Sequence, residues 1–190
     1  MTETRFSRLS RYCTLLVTVA IWALLAWSHF HGGVPSHHFL AQQELPAVSN
    51  GWGGLLLPVL TWLLLSRIRQ RVFGPTRADS DPTPALRRAL YGFAGALLFG
   101  VLISGLFTAG EPDMAGNVML GLFALAFFVP IYRPECLLGF VLAMTYTFGA
   151  VLPTIIGTVL GLIGWVVYGV IRRGLVYVGA KILQRLPATQ

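Results

Sequence analysis

Runs without a single Asp, Glu, Lys or Arg occupy 12–43, 45–66, 89–110, 114–132 and 136–171, separated by short basic and polar clusters. A bilayer hydrocarbon core of ~30 Å takes about 20 apolar residues per helical crossing, so the pattern predicts an all-α, polytopic transmembrane helix bundle. The expected spans cover about 12–28, 51–66, 89–109 and 115–132.

The last run is too long for one crossing, because a continuous helix over 136–171 would extend ~54 Å. Gly149 and Pro153, in "GAVLPT", offer a break, since proline removes a helical donor and glycine accepts the backbone of a turn. Two shorter spans of about 136–151 and 154–171 result. Thr145, Tyr146 and Thr147 precede the break and can hydrogen-bond backbone groups freed there. The expected total is six.

Lys and Arg accumulate on the cytoplasmic side of membrane proteins. Arg5, Arg8 and Arg11 precede the first span, six Arg fall within 67–88, Arg133 sits between spans four and five, and Arg172, Arg173, Lys181 and Arg185 follow the last. Six crossings place all of these, and both termini, in the cytoplasm. The loops 29–50, 110–114 and 152–153 contain no Lys or Arg and face outward. Five crossings would strand the four tail cations outside. The expected location is a bacterial-type inner (plasma) membrane, crossed several times. The first 28 residues also fit a secretory signal peptide, but Trp22 and Trp27 suit a retained anchor. The 67–88 segment reads as a flexible cytoplasmic loop. In the tail, Leu175, Val178, Ile182 and Leu186 oppose Lys181 and Arg185, the pattern of a helix lying on the inner membrane surface.

Composition supports a single membrane domain over 1–190: mean hydropathy is +0.71 and charged residues make up 11%, too little polar surface for a soluble globule. The net charge of +7 would suit nucleic acid in a soluble protein. Here the arginines flank apolar runs, so the bilayer and its anionic head groups are the expected partners, and nucleic acid is not. Cys13 and Cys136 fall at expected cytoplasmic span ends and match no metal-ligand spacing, so a disulfide is not expected.

Helix association in lipid relies on close backbone approach and polar contacts. Gly92, Ala96, Gly100, Ser104 and Thr108 recur every four residues in span three, and Gly157 and Gly161 form a second small pair. They predict packing surfaces, for neighbouring helices or for a partner membrane subunit. Pro58 and Pro130 are expected to kink spans two and four or to lie at their ends.

Candidate chemistry concentrates on the outer face. All four histidines, His29, His31, His37 and His38, lie in "SHFHGGVPSHH". His31 and His37 flank Gly32, Gly33 and Pro35, whose tight turn is expected to bring two imidazoles together, with a third ligand from Glu44, Glu111 or Asp113. Nitrogen and oxygen donors of this kind suit a divalent ion such as zinc or copper, although the spacing matches no established motif. A Gly-rich start to span two, "SNGWGG", supplies a cap and an interfacial Trp52, and its helix N-terminus could receive an anion.

Three functions follow as expectations. The first is a small-solute or metal-binding transport component that uses the His-rich loop. A non-enzymatic accessory or assembly subunit of a membrane complex is the second, and the third is a metal-dependent hydrolase at the membrane interface. No His, Asp, Glu or Lys lies deep within an expected span, which argues against an ion-coupled pump. No residue is assigned a catalytic role.

Overall fold

Helix boundaries follow the proline and glycine punctuation closely. The structure, a computed structural model, describes residues 1–31, 36–38, 47–75, 81–174, 177 and 181, with backbone alone at 36–38 and 47–50. With no Gly or Pro before Gly32, α1 runs unbroken over Glu3–Phe30. Its Thr14 and Thr18 hydroxyls donate to the carbonyls of Ser10 and Thr14, so these polar side chains are satisfied inside the helix. Two three-residue strands follow, β1 (Ser36–His38) and β2 (Ala47–Ser49), paired antiparallel with His37 opposite Val48.

Helix α2 (Gly53–Phe73) contains Pro58 and stops at Gly74, whose extended backbone suits the residue before Pro75. Helix α3 (Thr83–Thr108) starts with Pro84 in its first turn, and Gly110, with φ 84°, turns the chain into α4 (Pro112–Leu125). Helix α5 (Pro134–Phe148) ends at Gly149, whose φ of 72° is open to glycine at no steric cost. Helix α6 (Val151–Val166) carries Pro153 in its first turn, where no intrahelical donor is lost. It continues through a π-helical turn, Val167–Ile171, to Gly174.

Among the described residues the fold is all-α apart from the short β1–β2 pairing. Three of the described helices, Glu3–Phe30, Thr83–Thr108 and Val151–Gly174, are long and apolar enough to cross a membrane, and α5 is a shorter apolar helix. The fourth expected span, 115–132, is not one helix. After Leu125 the backbone closes successive turns up to Arg133, and Pro130, which cannot donate to a helical ladder, lies among them. Pro58, by contrast, sits inside its helix.

Among the described residues, α5 holds the centre. Phe140, Val141 and Met144 are buried, and Ile21, Leu57, Ile103 and Leu160 from four other helices join the same core. A smaller core forms where the start of α1, the end of α2 and the start of α3 meet, with Phe6, Ile68, Val72, Ala85 and Ala89 and the Phe6 and Phe73 rings 5.6 Å apart. Tyr132 and Tyr168 pair at 6.0 Å, and Arg71 reaches Glu135. These contacts gather the described arginines toward one end. At the other, Phe107 packs edge-on against Phe148 at 4.7 Å, and Gly53 closes on Ala150. Large apolar side chains such as Leu16, Leu98 and Phe128 remain exposed on the outside, a perimeter that hydrocarbon would solvate.

Candidate functional site

The end of the bundle away from the arginines holds a cavity of about 340 Å³ between the last turns of α1, α3 and α5. Its lining includes Trp27, Ser28, Thr108, Thr145, Tyr146 and Thr147. Thr145 donates to the Val141 carbonyl and Thr108 to that of Ser104, each at 2.7 Å. Each hydroxyl oxygen keeps lone pairs with which to accept. The break at Gly149 ends α5 at this point, so the hydroxyls of "TYT" stop at the cavity instead of continuing into the next helix. The described lining offers no carboxylate, imidazole or thiol; its polar side-chain groups are hydroxyls and the Trp27 indole N–H, which is equipment for binding a small polar solute.

His31 is not part of this lining but packs on one of its residues. Its ring stacks on Trp27, centroids 3.9 Å apart and planes at 15°, and its Nδ1 lies 2.9 Å from the Trp27 carbonyl oxygen. A carbonyl can only accept, so Nδ1 carries the hydrogen, and in the neutral ring Nε2 is left as a free acceptor or ligand atom. His29 packs edge-on against Phe30. Glu111 occupies the N-cap position of α4 and Asp113 its first turn, where a negative charge suits the helix dipole; both are exposed. Among the described residues no group of three or more His, Cys, Asp or Glu side chains is close enough to hold a metal ion. His37 and His38 are described only as backbone of β1, and Glu44 lies outside the described residues. The expected tail helix over 172–186 lies largely outside them too, apart from the stretch to Gly174 and the Lys181 ammonium, 5.9 Å from the centre of the Tyr177 ring.

The small residues expected at helix contacts occupy the following positions. A methyl group on Gly100 would meet Ala143 Cβ at 2.7 Å and the Phe140 carbonyl at 3.1 Å. Gly92 faces Glu135 and Cys136, and on the opposing helix Gly139 backs directly onto the Phe93 carbonyl. Ala96 packs at the edge of the core, and the Ser104 hydroxyl is buried without a hydrogen-bond partner. Gly157 faces Leu137 and Phe140 of α5, while Gly161 lies nearest Tyr132. Gly92, Ala96, Gly157 and Gly161 also border a lateral groove of about 300 Å³ between α3, α4 and α6.

Reading the chain alone misses one polar feature entirely. Glu135, in the first turn of α5, is completely buried, and its Oε1 accepts a 2.7 Å hydrogen bond from Arg71 in the last turn of α2. Its second oxygen is buried with no partner, as is the Thr61 hydroxyl. An unpartnered buried polar atom costs about 1–3 kcal/mol, so these two atoms, like the Ser104 hydroxyl, are costly exceptions among the described residues. "YRPEC" reads as a polar turn; Pro134 at the first helical position was the available sign that Glu135 belongs inside the helix.

Compared with protein-family models, with curated proteins and with solved structures, the chain matches none.

Proposed function

We propose that the protein crosses a bacterial-type inner membrane six times, with its arginine-bearing end and both termini in the cytoplasm, and that it is a small-solute-binding component of a transport system. The observation that carries the functional part is the hydroxyl-lined cavity at the arginine-free end, bordered by Ser28, Thr108, Thr145 and Thr147. Its volume lies within the range of small-molecule sites, and His31 stands beside it on Trp27. The clustering of described arginines at one end supports the orientation. With 14 and 15 residues, α4 and α5 span only ~21–23 Å as helices. The turns after Leu125 would complete the fourth crossing, since irregular backbone at membrane depth is tolerated where protein covers it.

The bound species is a neutral or zwitterionic solute with several hydrogen-bonding groups. Capture of zinc or copper by His31 Nε2 together with His37 and His38 belongs to the same reading. Native mass spectrometry and metal analysis of the protein in lipid nanodiscs test it, using the unaltered chain, Thr145→Val with Thr147→Val, and His37→Ala with His38→Ala. Retention of a solute or metal that one pair of substitutions abolishes is expected. Retention of neither, or retention untouched by both pairs, would remove the reading.

A second reading, an accessory subunit in a larger membrane complex, draws on Gly95, Gly105, Gly116 and Gly121, where an added Cβ would meet no atom of a neighbouring element within 4 Å. Such open small-residue positions permit close approach of another helix. Co-purification of a stoichiometric membrane protein, lost on Gly95→Leu or Gly105→Leu, would favour it. The hydrolytic reading finds no support in the described cavity lining.

A further inference from the structure

Three helices end at the hydroxyl-lined cavity. Trp27 and Ser28 belong to the last turn of α1, Thr108 closes α3, and Thr145, Tyr146 and Thr147 belong to the last turn of α5. The final carbonyls of a helix have no partner within it, and its aligned peptide dipoles leave that end with roughly half a negative charge. Turn bonds take up the Gly105, Leu106 and Phe107 carbonyls of α3 and the Ser28 carbonyl of α1. Among the described residues, Gly149, the cap of α5, makes no such bond. The dipoles behind all three ends remain. One helix opposes them, because α6 starts on the same wall at its N-cap Ala150. Three negative ends therefore meet one positive end.

Side chains and sequence add to the same sign. Thr108 and Thr145 donate their hydroxyl hydrogens to the Ser104 and Val141 carbonyls, so each can meet a solute only as an acceptor. Ser28 and Thr147 are half-buried and Thr108 and Tyr146 are exposed, so polar surface is within a solute's reach. The charged groups described near this end are Glu111 and Asp113, just past the end of α3 at the start of α4. No Lys or Arg occurs between Arg11 and Arg67, between Arg88 and Arg133, or between Arg133 and Arg172, and those arginines that are described gather at the opposite end.

We infer that the cavity recognises its solute by a primary ammonium group, of the kind a small amino-acid zwitterion carries, held against the ends of α1, α3 and α5 with the Thr108 hydroxyl oxygen among its acceptors. The inference rests on the solute-binding reading above and narrows it. An ammonium brings three donors and no acceptor, the complement of helix-end carbonyls and of hydroxyls that already donate elsewhere. A carboxylate in that place would face three negative helix ends, and a neutral hydroxyl would bring one donor and no charge.

Equilibrium dialysis of the full chain in lipid nanodiscs at neutral pH tests this with four isotope-labelled probes of similar shape. Alanine and alaninamide carry the ammonium; in lactate and lactamide a hydroxyl replaces it. Alanine is expected to bind about tenfold more tightly than lactate, and alaninamide than lactamide, the order of difference that several helix ends together confer on one charge. Thr108→Lys, at an exposed position, sets an ammonium of the protein's own at the end of α3 and is expected to weaken alanine binding about tenfold, whereas Thr108→Asp is expected to strengthen alaninamide binding. Equal binding within each pair, or preference for the hydroxyl member, would overturn the inference; if that binding is still lost in Thr145→Val with Thr147→Val, the solute-binding reading survives. Absence of binding by both ammonium probes, or alanine binding unchanged in Thr108→Lys, would overturn it as well, and the solute retained in native mass spectrometry then decides the wider reading separately.

Discussion

Arg71 and Glu135 lie 64 positions apart in sequence and 2.7 Å apart in space, joining the last turn of α2 to the first turn of α5. Each charge also faces the favourable end of its own helix dipole, a cation at a C-terminus and an anion at an N-terminus. Arg71 retains 33% exposure, whereas Glu135 has none. The two halves of the pair are therefore unequal. Arg71→Ala leaves a buried carboxylate with no counter-charge and is expected to destabilise by about 3–5 kcal/mol. Glu135→Gln leaves an arginine that can turn to water or head groups and is expected to cost about half as much. Thermal unfolding in detergent gives the order of the two variants, and a smaller loss for Arg71→Ala would contradict the assignment.

Close backbone approach makes a second asymmetry. Gly139 backs onto the Phe93 carbonyl and the Leu97 amide of α3, while Gly95, on that same helix, has nothing within 4 Å. Gly139→Ala is expected to push α3 and α5 apart at a cost of about 1–3 kcal/mol. Gly95→Ala places its methyl in open space and gains helix propensity, so its unfolding midpoint should stay level or rise slightly. Equal losses at the two positions would mean that the α3–α5 contact is looser than its geometry implies.

The long helices were legible in the chain because length and apolar content are the quantities that hydropathy reads. The break at Gly149 was legible because a left-handed backbone and a first-turn proline leave a sequence mark. The end of α4 was not. "AFFVPIYR" is as apolar as a span, and hydropathy is blind to whether such residues wind into a helix or close turns; Pro130 was the only sign. Glu135 escaped for a different reason. Its neighbours Arg133 and Pro134 suggest solvent, and the partner that makes its burial tolerable comes from another helix. The His31 contact with Trp27 is local, four residues apart along a helix that persists to Phe30. It was hidden only because the first span was expected to stop near 28. The hydroxyls of Thr145 and Thr147 read in the chain as backbone partners at a helix break or as part of a hydroxyl-lined path for a small neutral solute, but their convergence with Ser28 and Thr108 depends on how three helices meet.

The entry to α3 supplies a pH-dependent prediction. Asp81 Oδ1 accepts the Thr83 backbone N–H at 3.0 Å and the Thr83 hydroxyl at 2.7 Å. These two bonds, the backbone one first, hold its carboxyl below the ordinary carboxylate value. A lowered folded-state value means that the contribution is complete above the ordinary carboxylate range and vanishes as pH falls through the lowered value. Hydrogen exchange of the first α3 amides, Leu86 among them, should therefore show constant protection from pH 7 to about 5 and a loss below about 4. In Asp81→Ala the protection should be lower throughout and lack that acid step. An acid step that survives in Asp81→Ala would assign it to another group.

Crossing number and orientation can be read with single cysteines in intact cells, on a background in which Cys13 and Cys136, both free thiols, are replaced by serine and alanine. Glu111 and Asp113 at the start of α4 and Arg172 and Arg173 beyond the π-helical turn are exposed, so a cysteine at any of these positions is reachable by a polar reagent. Six crossings with cytoplasmic termini expect Glu111→Cys and Asp113→Cys to react with an impermeant maleimide from outside, and Arg172→Cys only after permeabilisation. Five crossings would expose Arg172→Cys from outside while leaving the α4 positions unchanged, a combination that would turn α5 and α6 into a single crossing and contradict the break at Gly149. Three crossings, by α1, α3 and the 151–174 helix alone, predict a further pattern. With α2 returning along the surface, the start of α3 would lie outside, and Arg87→Cys would react without permeabilisation. That result is electrostatically disfavoured, because it would separate Arg87 and Arg88 from Arg5 and Arg8, which the Phe6, Ala85 and Ala89 core holds at the same end of the bundle.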